Sequence, residues 1–205
     1  YIFNKNLFCD RSEEWSKAFS KSMVDDFERT LSMLRGAFCG FYYSGEDGLL
    51  RVFTDQIANK AIYYYVSGDK WMVGTHLDDM AAALKANDQK LTFNETAAQY
   101  MLSYGYMLDD STFITEIRRV LPGEYVTIKE GQAIAERYYL IPNKEIEMTE
   151  EEAVERIDAS FRQAVQREFE KDKEYGYRHL VDLSGGLDSR MTCWVAHSMG
   201  YTDQV

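Results

Sequence analysis

Basic charge, cysteine, proline and long apolar runs are all scarce in this chain of 205 residues, and each shortage closes off a class of protein. Lys and Arg number 23 against 34 Asp and Glu, a formal net charge of −11. A surface of that sign repels polyphosphate backbones, and no basic run offsets it, so nucleic acid is not expected as a partner. A small anion remains open, because the dipoles at one helix end bind it without a basic protein around them. The three cysteines, Cys9, Cys39 and Cys193, are odd in number and scattered. They fit free thiols in a reducing compartment better than a disulfide frame, and a cytoplasmic location is expected. No apolar run approaches the ~20 residues that cross a bilayer, so no membrane partner is expected either. Pro122 and Pro142 are the two prolines, and neither a low-complexity tract nor a fixed-period repeat occurs.

What is present suits a globular fold. An apolar content of 45% with 14% aromatics is enough to bury a core, and the length fits one large domain or one domain and part of a second. From Trp15 the residues Phe19, Met23, Phe27, Leu31 and Leu34 recur every three or four positions, which predicts one amphipathic helix. The stretches "GAFCGFYY", "LLRVFT", "AIYYYV" and "WMVGT", separated by polar glycine turns, predict four strands in an antiparallel meander. Short helices over Asp78–Lys85 and Asn94–Ser103 follow, the second capped by Asn94, and "EYVTIKEGQAIAERYYL" gives two more strands across a Glu130-Gly131 turn.

Past Pro142 the pattern changes. Thr149 followed three residues later by Glu152 is a capping box, and Val154, Ile157, Phe161, Val165 and Phe169 make the stripe of a long helix ending near Gly176. A strand "HLVDL" and a second helix from about Asp188 complete the order in which a parallel α/β sheet begins. The boundary predicted is therefore near Asn143, with domains over 1–143 and 144–205. One strand between two helices cannot close a doubly wound sheet, so the natural chain is expected to continue past Val205.

Between that strand and helix lies "SGGLDS", Ser184 to Ser189. Glycines at 185 and 186 allow left-handed backbone and close approach of a phosphate. Hydroxyls at Ser184 and Ser189 can donate, and the helix start adds a partial positive charge. Asp188 is discordant beside a phosphate unless it caps the helix or holds Mg²⁺ bridging to the phosphates. The alternative is an ordinary strand-to-helix turn with a capping Asp. The loop is neither a Walker loop, since no Lys-Ser or Lys-Thr pair follows the glycines, nor GxGxxG.

Ser-Gly-Gly-x-Asp-Ser after a buried strand resembles the pyrophosphate loop of the ATP pyrophosphatase superfamily. Upstream, "MLRGAFCGFYY", "DQIANKAIYYY" and "VLPGEYVTI" are similar, in that order, to the glutaminase domain of asparagine synthetases, a class II glutamine amidotransferase. The resemblance implies an α+β N-terminal-nucleophile-type layered domain of antiparallel sheets and helices, followed by the start of an α/β ATP-pyrophosphatase domain. It implies ATP and Mg²⁺, with aspartate or another carboxylate as acceptor and glutamine or free ammonia as nitrogen donor. Ser184, Gly185, Gly186, Asp188 and Ser189 would bind ATP and pyrophosphate, Asp188 would be the Mg²⁺ partner, and a homodimer is left open.

Class II glutaminases use the amine and thiol of an N-terminal cysteine. Tyr1 stands first here, so no glutaminase catalytic residue is assigned. The alternatives to an active synthetase of this type are an adenylating ligase for another carboxylate, as in β-lactam synthetase, and a nucleotide-binding pseudoenzyme. Cys9 and Cys39 read as packing residues and His76, His179 and His197 as solvent or cap residues. Arg190 reads equally as a phosphate or carboxylate partner and as an exposed helix arginine. The acidic runs "RSEEW" and "TEEEAVER" read as helix first turns, and Tyr63, Tyr64 and Tyr65 as core and sheet surface.

Overall fold

A computed structural model describes residues 1–8 and 14–201, which fall into two compact units, Tyr1–Pro142 and Asn143–Val205. The first contains, after a single 3₁₀ turn at Lys5–Leu7, helices α1 (Trp15–Asp25) and α2 (Phe27–Met33) and strands β1 (Cys39–Ser44), β2 (Leu49–Thr54), β3 (Tyr63–Ser67) and β4 (Lys70–Gly74). Helices α3 (Leu77–Ala86) and α4 (Glu95–Tyr104) follow, then strands β5 (Ile117–Arg119), β6 (Glu124–Lys129) and β7 (Gln132–Arg137). The second unit consists of α5 (Glu150–Tyr175) and α6 (Leu187–Ser198) with their connections.

The helix expected from Trp15 is two helices. Asp26 is extended, with φ −156° and ψ 93°, and its side chain accepts from the Arg29 N–H, so it ends α1 and caps α2. The stripe survives the break, because Met23, Phe27, Leu31 and Leu34 enter one core with Phe53 and Tyr125.

The four expected strands do not form one meander. They divide between a sheet of order β1-β2-β6-β7 and a sheet of order β4-β3-β5, antiparallel at every pairing. Periodicity reports which residues face a core but not which strand lies alongside. Both edges of β2 are taken by β1 and β6, so β3 pairs elsewhere, with β5, a three-residue strand too short to announce itself.

Adjacent residues of β2 and β3 then face different layers. Val52 and Tyr64 enter the core between the two sheets, with Leu50, Val126 and Ile128. Phe53 faces the helices α1 and α2, while Tyr65 and Ile117 face Met80 and Leu84 of α3. The order through the unit is helix, sheet, sheet, helix. The β6–β7 turn has the residues the sequence predicts, with φ 51° at Glu130 and 74° at Gly131.

Asp55, fully buried at the end of β2, holds the connection out of the sheet. Its carboxylate accepts from the N–H groups of Phe38, Ile57 and Asn59, each at 3.1 Å, and its carbonyl accepts from Gly123. Tyr138 donates to the Thr54 carbonyl at 2.6 Å, and burial followed by the Asp55 charge pushes its phenol well above the ordinary tyrosine range.

In the second unit the capping box is present, since Thr149 Oγ1 accepts from the Glu152 N–H and Glu152 accepts in return from Thr149. Gly176 ends α5 in the left-handed conformation, φ 71°. Of the predicted stripe, Val165 and Phe169 are buried against Val195 and Ala196 of α6, whereas Val154 and Ile157 are 58% and 68% exposed. The predicted strand "HLVDL" is not a strand. A strand exists through its ladder, and residues 179–183 have no ladder partner among the described residues, with Leu180 and Leu183 exposed.

Candidate functional site

Residues 184–189 form a hydroxyl-bonded loop that opens directly into α6. The Ser184 N–H donates to Ser189 Oγ at 3.0 Å and the Gly186 N–H to Ser184 Oγ at 3.2 Å, while the two hydroxyl oxygens lie 2.8 Å apart. Two hydroxyls own two hydrogens, and their mutual bond uses one. The other has only the carbonyls of Gly186 and Ser184 nearby, at 3.4 and 3.5 Å from Ser189 Oγ, which are long for an O–H donor. One hydroxyl hydrogen is therefore available to an acceptor arriving from outside.

The glycines do not do what the sequence suggests. Neither Gly185 nor Gly186 is in the left-handed region, and Gly186 has φ −78° and ψ 165°. A Cβ at Gly185 would meet nothing within 4 Å, and one at Gly186 would make ordinary contact with Ser184 Oγ at 3.5 Å. Neither backbone angle nor packing within the fold demands glycine at either position.

Gly186 is also the N-cap of α6, and it supplies no capping side chain. The first N–H groups of a helix have no intrahelical acceptor, and those of Leu187 and Asp188 have none elsewhere among the described residues. Asp188 sits in the first turn rather than at the cap. Its carboxylate has no hydrogen bond or ion pair among the described residues, and is free to share a cation. A single carboxylate is a normal protein contribution to Mg²⁺ when phosphates complete the shell. Among the described residues no group of three or more His, Cys, Asp and Glu is placed to hold a metal by itself.

Arg190 lies against the loop from behind. Its Nε donates to the Gly186 carbonyl at 3.1 Å and its Nη2 approaches the Gly185 carbonyl at 3.4 Å. That engages the carbonyls of the two glycines.

One pair went unnoticed in the sequence. His179, expected as a solvent or cap residue, is largely buried. Its Nδ1 is 2.5 Å from Asp172 Oδ2, and its ring is 4.0 Å from that of Phe169, which stacks on Tyr201 at 4.2 Å. This anchor ties the segment leading to the loop onto the end of α5. The spacing of Asp172 and His179 across the Gly176 stop was the only available sign. His76 is the N-cap residue of α3 without a capping bond, and His197 lies in the last turn of α6.

Cys39 is half-buried at the start of β1, and burial first, then the nearby Asp55 carboxylate, pushes its thiol up, as befits a packing residue. Cys9 lies outside the described residues.

Comparison with known proteins supports the upstream part of this reading. A relative, asparagine synthetase [glutamine-hydrolyzing] 1 of Bacillus subtilis (strain 168), is 25% identical over 170 residues, covering 82% of this chain and 26% of the relative. The chain thus spans about a quarter of the length of that protein. The model of the glutamine amidotransferase domain matches residues 21–139, which run from within α1 to just beyond β7 and make up more than half the chain. With the helix, sheet, sheet, helix layers filling the same residues, the chain belongs to the glutamine amidotransferase domain family, in an asparagine synthetase-like form.

Proposed function

We propose that this chain is part of an ATP-dependent amide-forming ligase of the asparagine synthetase type, in which the loop at Ser184–Ser189 binds the phosphates of ATP. The observation that carries the reading is the open start of α6. An unused hydroxyl hydrogen, unclaimed N–H groups and two glycines that nothing in the fold requires all lie at one point. The match to the relative supports it further, because 170 residues exceed the length of the first unit and so extend into the second.

The reaction requires a carboxylate oxygen, that of aspartate, to attack the α-phosphorus of ATP. The bond to the bridging oxygen breaks, and pyrophosphate leaves with the electron pair. Ammonia, free or from the amide of glutamine, then attacks the acyl carbon and AMP leaves. The charge that develops on the departing pyrophosphate is met by donors fixed before it arrives: the spare Ser184 or Ser189 hydroxyl, the N–H groups of Leu187 and Asp188, and the backbone at Gly185. Asp188 would hold Mg²⁺, which when bound neutralises phosphate charge. Arg190, on the carbonyls of Gly185 and Gly186, positions the loop rather than touching phosphate. The layers of the first unit suit an N-terminal-nucleophile-type glutaminase, whose part would be to supply the ammonia.

The test is pyrophosphate release by the full natural polypeptide with ATP, Mg²⁺ and aspartate, supplied with glutamine or ammonia, beside Asp188→Ala. Aspartate-dependent release that falls about 100-fold or more in the variant is expected, the scale of a lost charge-stabilising group. Release dependent on a different carboxylate moves the assignment to a ligase of the β-lactam synthetase kind. No release with any carboxylate, while ATP still binds, leaves a nucleotide-binding pseudoenzyme.

A further inference from the structure

The stretch that leads into the loop, 177–183, is held to the rest of the second unit by little. Only His179 and Val181 are drawn inward, while Tyr177, Arg178, Leu180, Asp182 and Leu183 are exposed. Val181 packs on the cluster of Val165, Phe169, Val195 and Ala196. An apolar contact of that kind holds the chain down without fixing its direction. Direction comes from His179, the one side chain of the stretch that makes a hydrogen bond among the described residues.

Asp172 receives the stretch with two groups. Its carbonyl accepts from the Tyr177 N–H at 2.8 Å as α5 ends, and its carboxylate accepts from His179 Nδ1 at 2.5 Å. A carboxylate only accepts, so Nδ1 holds the hydrogen whether the ring is neutral or charged. The His179 and Asp172 side chains are 16% and 18% exposed, so water competes little for the bond. The imidazole also lies 4.0 Å from the ring of Phe169, and the ring of Tyr201 lies 4.2 Å from that of Phe169. His179 precedes the loop and Tyr201 follows α6, so both ends of the piece bearing Ser184–Ser189 converge on one ring of α5.

We propose, on the reading of the loop as the ATP-phosphate site, that Asp172 and His179 are positioning residues for it, setting where Ser184 and the first turn of α6 stand when a phosphate arrives. They touch no substrate. Donors that meet developing charge work when fixed in place beforehand, and a misplacement of about 1 Å costs about a hundredfold. His179 stands five positions before Ser184, close enough along the chain to impose such a shift without altering any group that meets ATP.

The test uses the full natural polypeptide and two variants that divide the anchor. His179→Phe keeps an aromatic ring beside Phe169 and removes the bond to Asp172, whereas His179→Asn keeps a donor for Asp172 and removes the ring. His179→Phe should lower kcat/KM for ATP roughly ten- to a hundredfold with KM for aspartate unmoved, while His179→Asn stays near the wild type. Asp172→Ala, which takes no favourable charge from a helix C-terminus, should match His179→Phe, and the double variant should be no worse than either alone. Amide hydrogen exchange at Ser184 and Gly186, read without ATP, should quicken about tenfold in His179→Phe and hold steady in His179→Asn. No loss in His179→Phe, an equal loss in His179→Asn, additive losses in the double variant, or a rise in KM for aspartate would overturn the proposal, as would unchanged exchange in His179→Phe. A wild-type chain that releases no pyrophosphate sinks the synthetase reading alone, and the exchange measurement then decides whether the anchor positions the loop.

Discussion

The two helices of the second unit begin in contrasting ways. α5 starts with a closed box, in which Thr149 and Glu152 each satisfy the other's backbone donor, and three acidic residues reinforce the first turn. α6 starts on a glycine that caps nothing, with a carboxylate in its first turn that pairs with nothing among the described residues. Both ends face the same electrostatic problem of several unsatisfied N–H groups and a partial positive charge. At α5 the chain solves it internally, which makes that end structural. At α6 the chain leaves it unsolved among the described residues, and the proposed phosphate site rests on that open end.

The contrast can be broken most sharply at Gly185. The Cβ of Gly185→Val meets no neighbour within 4 Å, so thermal unfolding should be unchanged while aspartate-dependent pyrophosphate release by the full natural polypeptide falls about 100-fold or more. A variant equally active would mean that nothing approaches the loop there. Thr149→Ala should do the reverse. Opening the box should cost about 1 kcal/mol, read as a lower urea midpoint of the second unit, with pyrophosphate release intact. The smallest effect belongs to Gly186→Ser, which gives α6 the cap it lacks. It should slow hydrogen exchange in the first turns of α6 by a few tenths of a kcal/mol, and a larger gain would mean that the open end is costly to the fold.

The same division runs through what the sequence disclosed. The capping box, the Asn94 cap, the Gly176 stop and the Glu130-Gly131 turn were all legible, because each is a local device whose residues lie within about four positions of one another. The loop at Ser184–Ser189 was read from an equally local pattern, but its glycines proved not to serve left-handed backbone. Pairings across the chain were not legible. Nothing local told β3 to leave the company of β2, nothing marked Asp26 as a break within an unbroken apolar stripe, and the His179–Asp172 anchor depends on how the chain returns after Gly176. The strand "HLVDL" was misread for a related reason: its composition is that of a buried strand, but composition supplies no neighbour to pair with.

The box at Thr149 also bears on how such chains vary. Because four consecutive residues define where α5 begins, the stretch 143–148, exposed except at the half-buried Met148, carries no information about the helix's phase. Residues gained or lost there by insertion or deletion leave every buried position of α5 on the same face, so this joint is where the length of the chain is freest to drift.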